Sequence, residues 1–267
     1  GTHFPVDTSP FDIAYKSLAV NLSDLAAMGA TPRWALLSLS LPEAESEWVR
    51  SFIEGFVSLA QLHNVTLVGG DTTSGPMSIS LTALGFLEPG NQLTRSGAKP
   101  GDLVVVSGTI GGAALALERL LSGKPTDERY MLDKPTPRVG LGQALSGYAS
   151  ACIDVSDGLL ADLGHVLEAS GCGARLDVEN LPGTHDIERL EDESRWRYQL
   201  TGGDDYELLF TLPRGHSEQL AVWTKQLNLR LSIIGEVEKD QGIRCFKKDG
   251  SEFLPQGTGF EHFRQRS

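Results

Sequence analysis

Asp154 and Asp157 stand three residues apart in "CIDVSDGLLADLGH", where a short apolar run gives way to a helical pattern. An isolated buried carboxylate is too costly to keep, so such a pair must be solvated, paired or bound to a cation. Asp24 lies inside the apolar stretch "SLAVNLSDLAAMG", and Asp71 and Asp204 each follow Gly-Gly at a strand boundary. Asp204 opens a second acidic group with Asp205 and Glu207. Glycines let a backbone approach a ligand closely, and the Asp puts a carboxylate at that point. Oxygen donors without His or Cys favour Mg²⁺ or Ca²⁺ over zinc. No twelve-residue calcium loop is present, and Mg²⁺ needs one or two carboxylates when phosphate oxygens and water complete its shell. Scattered aspartates at glycine turns therefore suit Mg²⁺ bridged to phosphates.

Ordinary structural roles compete with this reading. Asp157 stands where a helix N-cap belongs. A Gly-Gly-Asp is commonly a plain turn, and Glu207 in "YELLF" has the spacing of a strand's solvent side. Asp24, between apolar neighbours Leu22 and Leu25, gains nothing structurally. Arg95 in "LTRSG" is either a phosphate clamp or an exposed linker arginine. "GTIGGAA" (108–114) opens a helix with glycines, and close helix packing explains it better than anion binding. Neither the P-loop pattern nor the glycine-rich dinucleotide fingerprint occurs. One echo links the halves: each Ser-Asp is followed 47 residues later by Gly-Gly-Asp (24 to 71, 157 to 204), which suggests similar acidic turns facing a shared site.

The elements that must position these residues follow from periodicity. Residues 9–29 read as a helix with Ser9 as N-cap, Pro10 in the first turn and Gly29 as stop. Strands are expected at 34–42, 65–71 (buried) and 77–87, with a helix between the first two carrying Trp48, Phe52, Phe56 and Leu59 on one stripe. The Gly- and Pro-rich stretch 88–102 is the expected domain boundary, dividing an N-terminal α/β domain (1–98) from a C-terminal α+β domain (99–267). Beyond it come strands "LVVVSG", "CIDV", "ARLDVENLP", "YELLFTLP" and "LRLSIIGEVE". Helices are expected at "GGAALALERLLSG", 137–149, after Asp157 and at "SEQLAVWTKQLN", and a hairpin around Asp249-Gly250. Without a strict βαβ alternation, the fold class is α+β in two domains, mixed sheets with flanking helices.

The chain has 267 residues, 40% of them hydrophobic, and a net charge of −12. That balance speaks against non-specific nucleic-acid binding and against docking on anionic membrane. It also makes any phosphate chemistry in a carboxylate-lined pocket dependent on divalent cations. Three cysteines without paired or ligand spacing fit a reducing, cytoplasmic setting, and the start lacks the build of a signal peptide.

"VNLSDLAAMGATP", "VGGDTTSGP", "LTRSGAKPGD", "IDVSDGLLADLGH" and "GGDDYELLF" occur in the order found in the thiamine-monophosphate kinase family, and the chain resembles that family from about His3 to Phe263. The family belongs to the ATP-binding superfamily of aminoimidazole ribonucleotide synthetase and selenophosphate synthetase. The resemblance implies that Asp24, Asp71, Asp154 and Asp157 are Mg²⁺ ligands of the catalytic centre. It implies that Gly70, Asp71, Arg95 and Ser156 contact ATP, that His3 and Asp204 contact thiamine monophosphate, and that Phe260 is an aromatic platform for the thiamine rings. It also implies a homodimer built partly from N-terminal strands.

Two departures qualify it. The family usually has Gly-Gly-Glu where this chain has Gly-Gly-Asp204, which shortens that contact by one methylene. The family also carries about fifty further residues before its "HF" step, with a Gly-Asp-Asp metal motif, so the chain reads as a fragment. The expected reaction is ATP-dependent phosphorylation of thiamine monophosphate to thiamine diphosphate by Mg²⁺-assisted in-line transfer. The alternatives are a purine-precursor synthetase of the same superfamily and a non-catalytic nucleotide- or metal-binding fragment.

Overall fold

The computed structural model describes residues 3–257. Helix α1 (Pro10–Ala27) begins as its sequence dictates: Ser9 caps it, its hydroxyl accepting from the Asp12 amide at 3.1 Å, and Pro10 occupies the first turn. Strand β1 (Thr31–Leu41) follows, then helix α2 (Ser46–Leu62) and strands β2 (Thr66–Ser74) and β3 (Ser78–Phe86). These strands form a three-stranded sheet in the order β2-β1-β3, with β1 parallel to β2 across α2 and antiparallel to β3. The first strand after the linker is β4 (Leu103–Ser107), followed by α3 (Gly112–Leu121), α4 (Arg129–Asp133), α5 (Val139–Leu145) and β5 (Ala151–Asp154). Next come α6 (Leu159–Ser170), β6 (Gly173–Asp177), α7 (His185–Glu188), α8 (Asp192–Thr201) and β7 (Leu208–Leu212). Helix α9 (Glu218–Leu227), β8 (Leu231–Glu238), β9 (Gly242–Phe246) and β10 (Glu252–Phe253) complete the described chain. Seven strands make the larger sheet, ordered β10-β9-β6-β8-β4-β7-β5 and antiparallel except for β6 against β9.

The larger sheet is covered on both faces, which explains why "LVVVS" and "LLFTL" read as continuous apolar runs. Val105, Phe210 and Cys152 point into one core with α1, α2, α5, α9 and the inner residues Ala35, Leu39 and Leu41 of β1. Val104, Val106, Leu209 and Ile153 point into the other, with α6, α8, β6 and β8. The first core runs across the 88–102 stretch without a break, so the linker separates two sheets that share one apolar interior.

Three expectations change. Strand β2 is exposed along its whole length rather than buried: it is the edge of the small sheet and neither of its faces is covered. Gly69, Gly70 and Asp71 lie within that strand, not at its boundary. Helices α4, α7 and α8 appear where the sequence shows no stripe: α8 interleaves arginines with buried Trp196, Tyr198 and Leu200, and Arg197 stacks over Tyr198 at 4.2 Å. No helix among the described residues is long and apolar enough to cross a membrane.

Candidate active site

The site is built on one polar stripe of α1. Ile13, Lys16, Ser17, Val20 and Asn21 line a cleft of about 810 Å³, and Asp24 and Ala27, with Met28 just past the helix end, lead into a second pocket of about 250 Å³. Steps of three and four residues keep these positions on one face. The opposite faces of α1, with Leu18, Ala19, Leu22 and Ala26, are buried in the first core.

The second wall is the loop after β5. Three successive amides, of Ser156, Asp157 and Gly158, donate to one oxygen of Asp162 at 2.9, 3.1 and 3.2 Å. Asp162 sits in the first turn of α6 and takes the capping role, while the N-cap residue itself is Gly158 and makes no side-chain cap bond. Asp157 is therefore not the cap; it lines the cleft together with Ser156. The segment leading into β7 packs on this loop, with the Asp204 amide donating to the Ser156 carbonyl at 2.9 Å and the Tyr206 amide to that of Val155 at 2.8 Å. Gly203 is required there, since a Cβ would stand 2.5 Å from the Ser156 carbonyl oxygen.

Asp154 ends buried β5 and opens on the smaller pocket beside Asp24, Thr94 and Arg95. One of its oxygens accepts from the Ser23 hydroxyl at 2.8 Å. Burial lifts its carboxyl to about 6; Ser23 opposes the shift, and the carboxylates of Asp24 and Asp162 add to it. Asp162 is likewise raised to about 6, by burial against the pull of its amides, with Asp157 adding to the rise. Asp24 is raised by desolvation, opposed by the Arg95 charge. Four aspartates thus form an electrostatically linked chain from one pocket to the other.

At the cleft, Lys16 meets Asp204 at 3.1 Å, and Tyr206 donates its hydroxyl to the other Asp204 oxygen at 3.1 Å. Behind them, Asp205 accepts from the Gly111 amide at 2.8 Å, at the N-terminus of α3. Glu207 is buried, not on a solvent side: it accepts from Ser107 at 2.5 Å and pairs with Arg138.

Of the residues singled out in the sequence, Asp24, Arg95 and Asp154 share the smaller pocket, and His3, Ser156, Asp157 and Asp204 share the cleft. Gly70 and Asp71 line neither; Asp71 pairs with Ser38 on the small sheet's outer side, and one of its carboxylate oxygens accepts from the amide of Thr72. Phe260 lies outside the described residues. The 47-residue echo does not reflect a repeated structure, since Ser23-Asp24 is mid-helix and Ser156-Asp157 is in a loop. Lys16, Asn21, Asp162 and Tyr206 were missed. A polar ladder 16-17-21-24 on an otherwise apolar helix was the available signal for the first two.

Among the described residues no three or more His, Cys, Asp or Glu stand together as a ready cation cage. The oxygen donors of Asp24, Asp154 and Asp157 would nonetheless fit a hard divalent ion. Asp154 is 5% exposed, its neighbouring charges are other carboxylates, and Arg95 is the cation beside Asp24. Such uncompensated negative charge suits a metal ion.

Models for the N- and C-terminal domains of AIR synthase related proteins match residues 1–87 and 99–248. Thiamine-monophosphate kinase of Salmonella typhimurium is 45% identical over 271 residues, covering 98% of this chain and 83% of that protein. The crystal structure of thiamine-monophosphate kinase from Stenotrophomonas maltophilia superposes with a TM-score of 0.89 at 46% identity, over 92% of this chain and 81% of the other. A solved complex of AaThiL with AMPPCP and TMP gives a TM-score of 0.85 at 32% identity, over 98% of this chain and 84% of that one.

Proposed function

The chain belongs to the thiamine-monophosphate kinases within the AIR synthase related family, and we propose that the α1 cleft and its smaller neighbour are where that family's reaction runs. The reaction is ATP-dependent phosphorylation of thiamine monophosphate, a kinase step with a phosphate as acceptor. The observation that supports this assignment to the site is the linked run of aspartates beside a cleft of about 810 Å³, a size suited to a small-molecule substrate.

A phosphate monoester has its second pKa near 6, so the acceptor oxygen is already ionised at neutral pH and needs no general base. The difficulty is bringing two polyanions together. Mg²⁺ held by Asp24, Asp154 and Asp157 would supply the charge neutralisation that phosphoryl transfer requires. Arg95 would grip ATP phosphates at the smaller pocket, with Ser156 at the loop between the two. His3 and Asp204 would contact thiamine monophosphate in the cleft. Asp71 would be a further Mg²⁺ ligand, and Gly70 and Asp71 would contact ATP, as the family resemblance implies, although neither lines the two pockets. In domain terms, residues 1–98 carry the helix and sheet that hold ATP and metal, and 99–267 supply the acidic loops.

Direct in-line transfer predicts inversion at phosphorus. ATP made chiral at the γ-phosphate should yield inverted thiamine diphosphate, and retention would point to a phosphoenzyme instead. Incubation with ATP, Mg²⁺ and either thiamine monophosphate or a purine-precursor acceptor tests the reading itself: product should form with the former alone.

The protein works in the cytoplasm as a homodimer in this reading. Trp34, Leu36, Leu84 and Phe86 lie on one face of the small sheet, 40–54% exposed, with Trp34 and Phe86 edge-to-face at 5.2 Å. On the other face, Ala35, Leu39 and Leu41 of β1 are buried in the core shared with α1 and α2. An apolar sheet face of this kind, flanked by an open edge strand, suits a second copy. Sedimentation should show a dimer, and Trp34→Glu should shift it to monomer while leaving the unfolding midpoint of the monomer close to that of the parent protein.

A further inference from the structure

We propose that the Lys16–Asp204 ion pair is an exchangeable lock which the substrate opens by trading partners. The phosphate of thiamine monophosphate takes Lys16, and its thiazolium cation takes Asp204. The inference rests on the reading of the cleft given above and goes beyond it, because it assigns the selection of a zwitterion to two named residues.

Lys16 does not look like the half of a settled salt bridge. Its side chain is 8% exposed, its ammonium is out of contact with solvent, and its 3.1 Å approach to Asp204 Oδ2 lacks hydrogen-bond geometry. A buried ammonium ordinarily needs several good acceptors to offset its lost hydration. Here it has one carboxylate, and that carboxylate faces the cleft, one third exposed.

Asp204 is also held in an unusual backbone. Four described residues other than glycine have positive φ: Asn64, Asp204, Tyr206 and Asn228. The two asparagines follow α2 and α9, where a left-handed residue commonly ends a helix. Asp204 (φ 69°) and Tyr206 (φ 51°) end no helix. Their amides are pinned to Ser156 and Val155, and the Tyr206 hydroxyl donates to Asp204 Oδ1. Backbone strain of this sort persists where the surroundings over-determine it, and it collects at ligand sites. Its effect is to aim the Asp204 carboxylate at Lys16 across the cleft.

A ligand carrying one charge alone would gain one partner and strand the other. Inorganic phosphate would engage Lys16 and leave Asp204 facing another anion, and thiamine would engage Asp204 and leave a buried ammonium unpaired. A phosphate monoester with a fixed quaternary nitrogen satisfies both. Unpaired buried charge is an effective means of rejection, stronger than lost apolar contact.

Calorimetric titration in the absence of ATP tests this on the parent protein, Lys16→Met and Asp204→Asn, with thiamine monophosphate, thiamine and inorganic phosphate as separate ligands. Both variants should lose affinity for thiamine monophosphate by on the order of tenfold to a hundredfold, the cost of one charge-assisted contact. Each should also gain: Asp204→Asn should bind inorganic phosphate more tightly than the parent, and Lys16→Met should bind thiamine more tightly. A merely structural pair would lower the unfolding midpoint without those gains. Unchanged affinity for thiamine monophosphate, or losses with neither gain, overturns the proposal. If one variant does not fold, the other arm decides alone. Turnover is measured separately, so an intact exchange pattern without thiamine diphosphate production would sink the kinase reading and leave this one standing.

Discussion

Asp154→Asn is expected to make the metal-free protein more stable at pH 8 while removing at least a hundredfold of its ATP-dependent turnover. In the folded state burial lifts this carboxyl from the usual 3.8 to about 6, with Asp24 and Asp162 adding to the rise. Between those two values the folded chain binds more proton than the unfolded one, so stability falls as pH rises through the window and stays low above it. The shift corresponds to a cost on the order of 3 kcal/mol, which asparagine avoids. Its carbonyl can still accept from Ser23. The stabilisation should therefore be absent at pH 3, grow between about 4 and 6, and level off, as followed by thermal unfolding in chelator.

The loss of turnover has the same origin. A buried carboxylate kept ionised among other carboxylates is unfavourable for folding and useful for holding a cation against phosphates. Added Mg²⁺ should accordingly raise the unfolding midpoint of the parent protein and have far less effect on Asp154→Asn. Turnover within a few-fold of the parent would mean that the pocket formed by Asp24, Arg95 and Asp154 is not where ATP reacts.

Much of the fold was legible because its strongest patterns coincide with its largest burial. Ser9-Pro10 marked the start of α1, and Leu103–Ser107 formed an unbroken apolar run because β4 is covered on both faces. Edge position was illegible: β2 has the apolar residues of a buried strand, and nothing local says that no neighbour covers it. Helix α8 was hidden for the opposite reason, since Arg195 and Arg197 reach the surface and stack on aromatics that face inward.

The site was legible as chemistry and less so as geometry. Asp154 and Asp157 stood out by type and spacing, yet their roles diverge, one opening on each pocket. Which residue capped α6 was not readable, because Asp162 reaches back four to six positions to gather three amides. Lys16 was passed over because a lysine on a helix is ordinarily a solvated charge. Its importance arises from Asp204, 188 residues away, and from a backbone conformation that no spacing rule announces.

Alanine at Gly142 should lower stability by about 3 kcal/mol and also impair the chemistry, although alanine is the better helix former by about 1 kcal/mol. A Cβ there would stand 2.0 Å from the Ala26 carbonyl oxygen and 2.8 Å from its carbon, so α5 can lie this close to α1 through a glycine alone. Backbone cannot rotate aside as a side chain can, and the helices must separate. Helix α1 has no slack at its other end, where Gly55 of α2 would place a Cβ 2.1 Å from the Phe11 carbonyl oxygen. The two glycines grip the helix that carries the polar stripe, one at Phe11 in its first turn and one at Ala26 in its last. Gly142→Ala should therefore raise the KM for ATP by about tenfold or more, and Gly55→Ala that for thiamine monophosphate, at comparable losses of stability. Steady-state kinetics and unfolding on the same samples check this. If both variants are destabilised and their kinetics are indistinguishable from the parent, the placement of α1 does not govern the reaction, and the site must be sought on another face.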